Sequence, residues 1–482
     1  MPSQIVTLPG FPPRLRGSPG FRAHKGKDGS ERTALSKAAV ILAAGMGTRM
    51  KSATPKVLHK VAGRAILGHV IAAARAGGAT RIVVVTSPDG QAVRDYAAKE
   101  GAEAVIQEQQ LGTGHAANCA ASALKDFSGV VAVTYGDMPL LTSRTFEASY
   151  AAQKNAGMAI VAFEAEDPSA YGRVILDRDG MLDRIVEFKD ANEKERAVTL
   201  CNAGLLAADA KSFFRWAASL KNDNAQKEYY LTDIPLLARA DRVACAVART
   251  DEEEVMGVNS RAELATAEAA MQRRLRNSAL AAGVGMTAPE TVYFSFDTAL
   301  EADVLVEPFV VFAPGVTVRS GAHIKAFSHL EGAEVQKGAL IGPYARLRPG
   351  AVIEEDVHIG NFVEVKKARL EKGAKANHLS YIGDARVGAG ANIGAGTITC
   401  NYDGFDKHHT DIGAGAFIGS NTALVAPVKV GDGAITGAGS TITKDVEANA
   451  LAVERSDQKQ LSGWAEKFRA AKRALKAKRG AK

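Results

Sequence analysis

The sequence is short of cysteine, of aromatic residues and of long apolar segments. Its 482 residues include four cysteines and 6% aromatic residues, and the cysteines are scattered without a CxxC spacing. The cysteines therefore predict neither a disulfide framework nor a thiolate zinc site. No stretch approaches the ~18 uncharged apolar residues of a membrane-spanning helix. The first residues carry proline, glycine and arginine where a signal peptide has an apolar run. We therefore expect a cytoplasmic protein that has no membrane partner.

An excess of basic charge is confined to the two ends of the chain. The formal net charge is +7, but residues 1–37 hold seven Lys and Arg against two acidic residues, and residues 454–482 hold ten against three. The body between them therefore carries a net charge of −5, which argues against a nucleic-acid-binding face. Because residues 1–37 are rich in Pro, Gly, Ser and Arg, they are predicted to be a disordered N-terminal extension, and 454–482 a solvated basic tail.

From residue 38 the sequence alternates short apolar segments with alanine-rich segments of helical spacing. AAVILAAG, RIVVVTS and VVAVTYGD predict strands, whereas ILGHVIAAARAGG and QAVRDYAAKEG predict helices. This alternation is typical of a mostly parallel sheet covered by helices, and it predicts a first domain over 38–260. The next segment has apolar residues at helical spacing and precedes Gly283, so we predict a linker helix within 261–283.

Beyond residue 284 the period of the sequence changes to six. Aliphatic residues occupy every sixth position in several runs, namely Val304, Val310 and Val316; Val318, Ile324 and Leu330; Ile341, Leu347, Ile353, Ile359 and Val365; and Ile412, Ile418, Leu424 and Val430. A hexapeptide period predicts a parallel β-helix of roughly eight to ten triangular coils, each of about 18 residues. We assign this domain to 284–453, with interruptions predicted at 371–381 and 400–411, since loops on a rigid scaffold commonly carry function.

Motifs of the first domain predict a site for phosphates and a metal ion. LAAGMGTRM, residues 42–50, is a glycine-rich turn after a strand, where backbone N–H groups can face phosphate oxygens and Arg49 and Lys56 can neutralise charge. The spacing matches neither the P-loop nor the dinucleotide fingerprint. Asp137, in YGDMP, follows an apolar strand at the sheet edge where ligands gather, so it is placed to bind a divalent ion. The alternative for Asp137 alone is a turn cap.

Further motifs carry a resemblance to a known family. LGTGHA, AYGR, IVEFKD, CNAG, NDNAQKEYYLTD and GVNS accompany those above in the order found in sugar-nucleotidyltransferases. Followed by hexapeptides, they closely resemble the bacterial bifunctional N-acetylglucosamine-1-phosphate uridylyltransferase/glucosamine-1-phosphate N-acetyltransferase family, over about 38–455. The resemblance implies an α/β fold: a Rossmann-like nucleotidyltransferase domain followed by a left-handed parallel β-helix. It also implies that glucosamine-1-phosphate is acetylated by acetyl-CoA, and that the N-acetylglucosamine-1-phosphate is then joined to UTP. The products would be pyrophosphate and UDP-N-acetylglucosamine, for peptidoglycan and lipopolysaccharide precursors.

The resemblance implies site residues in the first domain. Contacts to uridine and phosphates would come from Leu42, Ala43, Ala44, Gly45, Lys56, Gln107, Gly112 and Thr113. Gly172, Glu187 and Asn202 would contact the sugar, and Arg49 would assist phosphate positioning. Asp137 and Asn259 would hold Mg²⁺, with Asn259 also at the substrate. In such a transfer a sugar phosphate oxygen attacks the α-phosphorus in line, so charge neutralisation supplies most of the catalysis and no covalent residue is required. Ala170, Phe188 and Ala203 depart from the family pattern, which bears on sugar affinity.

In the hexapeptide domain His378 is the candidate proton acceptor. Transfer of an acetyl group to an amine needs a base that works near neutral pH, and a histidine oriented by a carboxylate suits the task, with Glu364 as the carboxylate nearby in sequence. Taken alone, a histidine such as His378 is more often a surface or structural residue than a catalytic one. The resemblance implies that the amino sugar phosphate contacts Arg348, Lys366, Tyr381 and Asn392. Acetyl-CoA would contact Ala395, Asn401, Tyr402, Ser420, Ala438 and Arg455.

The resemblance also implies a homotrimer with acetyltransferase sites between chains, since the flat faces of three prisms can pack about a threefold axis. Two alternatives remain open. One is a sugar-1-phosphate nucleotidyltransferase whose hexapeptide domain serves only regulation, which gives no reason for His378, Asn401 and Ser420 to occur together. The other is a non-catalytic sugar-nucleotide-binding regulator, which the loss of Asp137 or Lys56 would favour, and both residues are present.

Overall fold

The computed structural model describes residues 36–45, 47–169 and 171–480. The predicted disordered extension therefore lies outside the described residues up to position 35, as does Ala170. Contacts divide the chain into two compact units that meet between Ala333 and Glu334. Among the helices of the described ranges, none is long and apolar enough to cross a membrane.

The first unit is built on a nine-stranded sheet with the order β11-β7-β10-β6-β1-β4-β5, to which β8 and β9 are attached beside β10. The strands of this part are β1 (Ser36–Leu42), β2 (Lys60–Val61), β3 (Arg64–Ala65), β4 (Arg81–Thr86), β5 (Glu103–Ile106), β6 (Gly129–Tyr135), β7 (Gly157–Glu164), β8 (Arg173–Leu176), β9 (Leu182–Val186), β10 (Leu200–Asp209) and β11 (Ala244–Arg249). The helices are α1 (Ile66–Ala76), α2 (Gln91–Lys99), α3 (Thr113–Cys119), α4 (Ser143–Ala156), α5 (Glu193–Arg196), α6 (Ala210–Ala218), α7 (Ile234–Ala240) and α8 (Arg261–Ala281). Strands β4, β1 and β6 are parallel neighbours, so their carboxyl ends lie at one edge.

The central strands are apolar on both faces because helices cover both sides of the sheet. Val40 of β1 belongs to one buried cluster and its neighbour Ile41 to the other, and both side chains are fully buried. Strand β6 shows the same alternation at Val131 and Ala132. The apolar segments that predict strands are therefore the core of the sheet.

Helix α8 lies within the range that the spacing predicts, and it begins at a capping box in which Ser260 and Glu263 bind each other's backbone N–H. Its buried Gln272 accepts from the N–H of Phe294 and donates to the carbonyl of Phe294. The Ser295 hydroxyl donates to the carbonyl of Ala62. These bonds tie the first hexapeptide residues to the first domain, and Phe294 and Ser295 accordingly belong to the same compact unit as α8. The predicted domain limits stay predictions.

The hexapeptide strands recur on three faces, as a period of six predicts. In the first unit the faces hold β12 (Gly285–Met286), β14 (Leu305–Val306) and β17 (His323–Ile324); β13 (Ala299–Leu300) and β16 (Thr317–Val318); and β15 (Val311–Phe312) and β18 (His329–Leu330). Strand β19 (Ala333–Val335) spans the division. The aliphatic side chains at the repeat position are buried, with Ile341, Leu347 and Ile353 fully enclosed.

The second unit continues the same three-sided pattern. One face holds β20 (Leu340–Ile341), β23 (His358–Asn361), β26 (Lys375–His378), β29 (Asn392–Ile393), β32 (Phe417–Ile418), β35 (Ile435–Thr436) and β37 (Leu451–Ala452). A second holds β22 (Ala351–Ile353), β25 (Arg369–Leu370), β28 (Ala385–Val387), β31 (Thr410–Ile412) and β34 (Val428–Val430), and the third β21 (Arg346–Leu347), β24 (Glu364–Lys366), β27 (Tyr381–Gly383), β30 (Ile398–Cys400), β33 (Ala423–Val425) and β36 (Thr441–Ile442). Helix α9 (Trp464–Gly480) lies in the basic tail, which is thus helical as well as exposed.

The two predicted interruptions of the repeat have different outcomes. Arg346 pairs with Glu364, eighteen positions on, but Glu364 pairs with Tyr381, only seventeen positions on. Ile353 already pairs with Leu370, seventeen positions on, so the missing residue lies between Val365 and Leu370. Leu370, Ala376 and Ile382 then keep the period of six, and β26 runs through the segment, so the prediction of an interruption at 371–381 is wrong. Ala385 pairs with Thr410, twenty-five positions on, so the predicted interruption at 400–411 is a true insertion.

Candidate active sites

A cleft opens at the carboxyl edge of the central strands of the first unit. It is lined by Leu42, Ala43, Ala44, Gly45, Lys56, Val57, Gln107, Gln110, Gly112, Thr113, Ala116, Tyr135, Asp137 and Glu228. All eight residues implied for uridine and phosphates are in this set, together with Asp137. The structure thus brings together predicted residues that are up to 95 positions apart in the sequence, from Leu42 to Asp137.

Two glycines allow the loops that line the cleft to pack closely against neighbouring residues. Gly47 has a φ of 60°, and a Cβ atom there would lie 2.6 Å from the Cβ of Lys56. Gly112 has a φ of 109°, and its Cβ would lie 2.7 Å from the carbonyl oxygen of Tyr229. Any larger residue at either position would be strained and would push the loop away. Both glycine turns therefore have a geometric role in shaping the site.

Side-chain amides hold the two glycine turns in place. The Nε2 of Gln107, a residue that is 3% exposed, donates to the carbonyl of Gly112 at 3.2 Å. The Nε2 of Gln110 donates to the carbonyl of Ala44 at 2.8 Å. Through Gln110 the second turn is bonded directly to the first, which fixes the width of the cleft.

One cation position is defined by three side chains at the floor of the cleft. The Nζ of Lys56 lies 2.5 Å from Oδ2 of Asp137 and 2.9 Å from Oδ1 of Asn259. Asp137 follows β6, and its carbonyl accepts from the N–H of Val258 at 2.9 Å. The N–H of Asn259 donates to the Glu263 carboxylate of the capping box. The start of α8 therefore holds Asn259 beside Asp137.

The chemistry of this position fits a divalent ion. A carboxylate and an amide oxygen converge on one cation, the Lys56 ammonium, and oxygen donors are those that Mg²⁺ prefers. Within the described ranges no three His, Cys, Asp or Glu side chains form a group that could hold a metal ion. An ion between Asp137 and Asn259 would therefore complete its coordination with phosphate oxygens and water.

The residues implied for the sugar form a second group in the same unit. Glu187 accepts a hydrogen bond from Thr232 at 3.0 Å, and its carboxylate faces Gly172, whose carbonyl accepts from the N–H of Asn202 at 2.8 Å. Burial raises the pKa of Glu187 above its usual range. Phe188 lies beside the guanidinium groups of Arg173 and Arg196, at 5.6 and 4.8 Å from their centres.

Arg49 is not among the residues that line the cleft. It lies exposed on a short 3-10 turn, Thr48–Met50, at the outer part of the glycine-rich loop. The structure therefore does not bring its side chain to the cleft floor with Lys56 and Asp137.

In the second unit His378 has an amide partner. Its Nδ1 lies 2.8 Å from Oδ1 of Asn361, and the two residues are directly paired between β23 and β26. Because an amide oxygen only accepts, Nδ1–H donates and Nε2 keeps its lone pair. The expectation that Glu364 orients His378 is not met, since Glu364 binds the guanidinium of Arg348 at 2.8 Å. The physical reason is that Glu364 lies on β24, a different face of the coil.

A polar cluster surrounds the other residues implied for the amino sugar. Lys366 lies 3.8 Å from Asp384, and the same Asp384 oxygen accepts from the buried amide of Asn401. The Asn401 amide is also 3.5 Å from the hydroxyl of Tyr381. Asn392 lies on β29, which pairs with β26, the strand that ends at His378.

Three of the six residues implied for acetyl-CoA occupy one corner of successive coils. Backbone N–H groups that follow Ala395, Ser420 and Ala438 donate to the carbonyls of His378, Ala395 and Ser420, respectively. His378, Ala395, Ser420 and Ala438 therefore stand in one row, which we call the His378 corner row. Arg455 extends it, because its guanidinium donates to the carbonyl of Ala438 at 2.8 Å. Tyr402 lies on the insertion, 56% exposed, with Lys407 over its ring.

Several functional candidates escaped the sequence analysis. Gln110 and Tyr135 line the cleft, and both stand beside motif residues that the sequence singles out. Their positions in the sequence could therefore have indicated that they belong to the site. Asn361 and Asp384 lie in GNFVEVKKARL and GAKANHLSYIGD, the segments of Glu364 and His378, but nothing in the sequence singles them out within those segments. Their contacts with His378 and Asn401 depend on the seventeen-residue coils, which only the structure shows.

Comparisons with known proteins agree across both units. Residues 39–210 match the family described as the MobA-like NTP transferase domain, and residues 332–367 and 409–444 match the bacterial transferase hexapeptide family. The chain is 56% identical to the bifunctional protein GlmU of Caulobacter vibrioides over 92% of its own length and 96% of the relative. It is 56% identical to that of Rhodospirillum rubrum, over 92% and 99%. The protein of the same name from Paramagnetospirillum magneticum is 53% identical, over 92% and 98%.

Proposed function

The chain belongs to the family of bifunctional GlmU proteins, and from that premise we propose which residues carry each of its two reactions. It is a bifunctional enzyme of UDP-N-acetylglucosamine synthesis, with a uridylyltransferase activity and an acetyltransferase activity. The proposals below concern its site residues, its metal ion, its location and its assembly.

The cleft of the first unit is the proposed site of uridylyl transfer. A phosphate oxygen of N-acetylglucosamine-1-phosphate attacks the α-phosphorus of UTP in line, and pyrophosphate leaves. The glycine turns that Gln107 and Gln110 hold present backbone N–H groups to the phosphates, and Lys56 neutralises their charge. Glu187 and Asn202 bind the sugar. A divalent cofactor fits this family, and we infer Mg²⁺ held by Asp137 and Asn259, where it would neutralise phosphate charge.

The His378 corner row is the proposed site of acetyl transfer. The Nε2 of His378 takes the proton from the ammonium of glucosamine-1-phosphate, and the free amine then attacks the acetyl carbonyl while the thiolate of coenzyme A leaves. Asn361 holds Nδ1–H, so Nε2 is the basic atom. Lys366 and Arg348 bind the sugar phosphate, and Glu364 positions Arg348. The charged groups of Lys366 and Arg348 lie on the face next to the His378 corner row. This placement supports assigning them to the sugar phosphate and His378 to the proton transfer.

The acyl donor would lie along the same row. Ala395, Ser420 and Ala438 present small side chains and backbone at successive coils, which leaves room for an extended chain against the corner. Asn401, Tyr402 and Arg455 would contact the remainder of acetyl-CoA. Tyr402 is exposed on the insertion, so a second copy of the chain can approach it.

We infer that the protein works as a homotrimer in the cytoplasm, where UTP and acetyl-CoA are made. Exposed apolar residues at the corner that carries His378, beside it and on the coils before it, support an interface between chains. The rings of Tyr344 and Phe362 stack there with centroids 5.3 Å apart, and Leu379 is 61% exposed. Apolar patches of this kind are typical of surfaces that a partner covers.

The observation that carries the proposal is the convergence of Lys56, Asp137 and Asn259 in a cleft lined by glycine turns, on a chain that also carries the corner row. The test is to incubate the purified chain with glucosamine-1-phosphate, acetyl-CoA, UTP and Mg²⁺. We expect coenzyme A, pyrophosphate and UDP-N-acetylglucosamine in equal amounts. Product formed only from sugar that is already acetylated would indicate that the hexapeptide domain is regulatory, and no product at all would indicate a binding protein.

A further inference from the structure

The cation position between Asp137 and Asn259 is filled by a side chain of the protein itself. The Lys56 ammonium binds both oxygens, at 2.5 and 2.9 Å, and the side chains of Lys56 and Asp137 are only 12% and 19% exposed. Water screens an ion pair poorly at such a site, so the interaction is stronger than at the surface. Removing the ammonium without replacing its charge would leave an uncompensated carboxylate.

A divalent ion and this ammonium cannot use the same two oxygens together. Mg²⁺ binds oxygen at 2.0–2.1 Å, and a second positive charge within hydrogen-bond distance of the same atoms would repel it strongly. Lysine can leave, because its charge is a compact group on a flexible stem with three rotatable donors. Lys56 also lines the cleft beside Gly45 and Gly112, where phosphates would bind.

We propose that Lys56 is an exchangeable counter-ion of the metal site. Its ammonium neutralises Asp137 until a divalent ion takes the two oxygens, and it then moves to the phosphates of the nucleoside triphosphate. This inference rests on the proposed assignment of Asp137 and Asn259 as metal ligands. No covalent bond is made or broken in the exchange. The net charge of the cleft increases by the charge of the metal ion when it binds, and decreases by the charge of the nucleotide when that binds.

The exchange couples metal binding to nucleotide binding. A metal ion that enters alone must displace an ammonium that has no other anion to bind, so the intact protein binds free metal weakly. A triphosphate offers the ammonium a new partner and thereby releases Asp137. Coupling between two ligands is reciprocal and typically changes each affinity by about 5- to 150-fold. We expect a change of at least about tenfold here.

The experiment measures Mn²⁺ binding to the full chain by electron paramagnetic resonance, which detects the free ion. Lys56→Met, in the absence of nucleotide, should bind Mn²⁺ at least about tenfold more tightly than the unmodified protein. Lys60→Met is the matched control, because Lys60 is exposed on β2, and its Mn²⁺ affinity should not change. Adding Asp137→Ala to Lys56→Met should abolish the gain.

The possible outcomes separate this inference from the proposed function. If Lys56→Met binds Mn²⁺ no more tightly than the unmodified protein, and Asp137→Ala still weakens that binding, the exchange is refuted and the metal assignment stands. If Asp137→Ala leaves Mn²⁺ binding unchanged in every background, the proposed metal site is itself wrong.

A second measurement uses the unmodified protein, in case Lys56→Met does not fold. An amine-reactive reagent should label Lys56 faster when Mn²⁺ is present, because the ammonium is released from Asp137, and mass spectrometry of the peptide reports the rate. Addition of UTP should slow the labelling again. A labelling rate that Mn²⁺ leaves unchanged at saturating concentration refutes the exchange.

Discussion

The hydrogen bond between Asn361 and His378 makes a quantitative prediction about acetyl transfer. The bond joins an imidazole nitrogen and an amide oxygen at 2.8 Å on a half-exposed surface, and such a bond contributes about 0.5–1.5 kcal/mol net. If that energy serves to orient the imidazole, Asn361→Ala should lower kcat for acetyl transfer about two- to tenfold. Loss of the base itself, in His378→Ala, should cost about 10²–10⁴-fold.

The substitution should leave the backbone in place, because β23 and β26 pair through their main chains as well as at these two residues. Uridylyl transfer by the same preparation is therefore the internal control, and it should not change. Release of the coenzyme A thiol, followed with a thiol reagent across a range of pH, is the assay.

The matched variant Asn361→Asp separates positioning from a merely structural role. A carboxylate in place of the amide favours the protonated imidazole, so the ascending limb of the pH–rate profile should move to higher pH. An Asn361→Ala protein as impaired as His378→Ala would mean that Asn361 takes part in the chemistry itself. Full activity and an unchanged pH profile in both variants would refute the orienting role.

Three further predictions concern the other sites. Asp137→Ala should reduce Mg²⁺-dependent uridylyl transfer at least about 100-fold and leave acetyl transfer within about twofold, and a parallel loss of both activities in folded protein would contradict separate sites. Burial raises the pKa of Glu187, so the folded protein binds that proton more tightly than the unfolded chain and ionisation at neutral pH costs stability. Glu187→Gln should therefore raise the melting temperature at pH 7, by an amount that shrinks as the pH falls through the raised pKa, while it weakens sugar phosphate binding; an equal effect at all pH values would rule out this cause. Mixing His378→Ala chains with Asn401→Ala chains should restore part of the acetyl transfer if sites lie between chains, and a mixture no more active than its components would argue for sites within one chain.

Much of the architecture was predictable because its physical cause is local. Aliphatic residues at every sixth position predict the prism, and the Ser260–Glu263 spacing is a usual start of a helix. The cleft was predictable in outline, since Lys56, Gln107 and Asp137 follow or adjoin strand ends of a parallel sheet. The handedness of the β-helix rested on the family resemblance alone.

What escaped prediction depends on contacts between distant parts of the chain. The contacts of Lys56 with Asp137 and Asn259 require the backbone of Gly47 to lie close to the Lys56 side chain. No rule of sequence spacing predicts that close approach. The pairing of Asn361 with His378 requires a coil of seventeen residues, whereas the repeat predicts eighteen. The bond between Gln272 and Phe294 joins the first coils to α8, and neither residue belongs to a recognisable motif.

The His378 corner row is also a measure of length. Adjacent strands of a sheet lie about 4.8 Å apart, so the three coil steps from His378 to Ala438 span roughly 14 Å. An acyl donor must extend over that distance to contact Ala438 while its thioester lies at the imidazole. A compact donor such as acetyl phosphate would reach His378 and leave the far coils uncovered. If acetyl-CoA binds along this row as proposed, the corner selects its donor by the reach of the carrier arm, and a coil added to or removed from this stretch would change the length of carrier that the enzyme accepts.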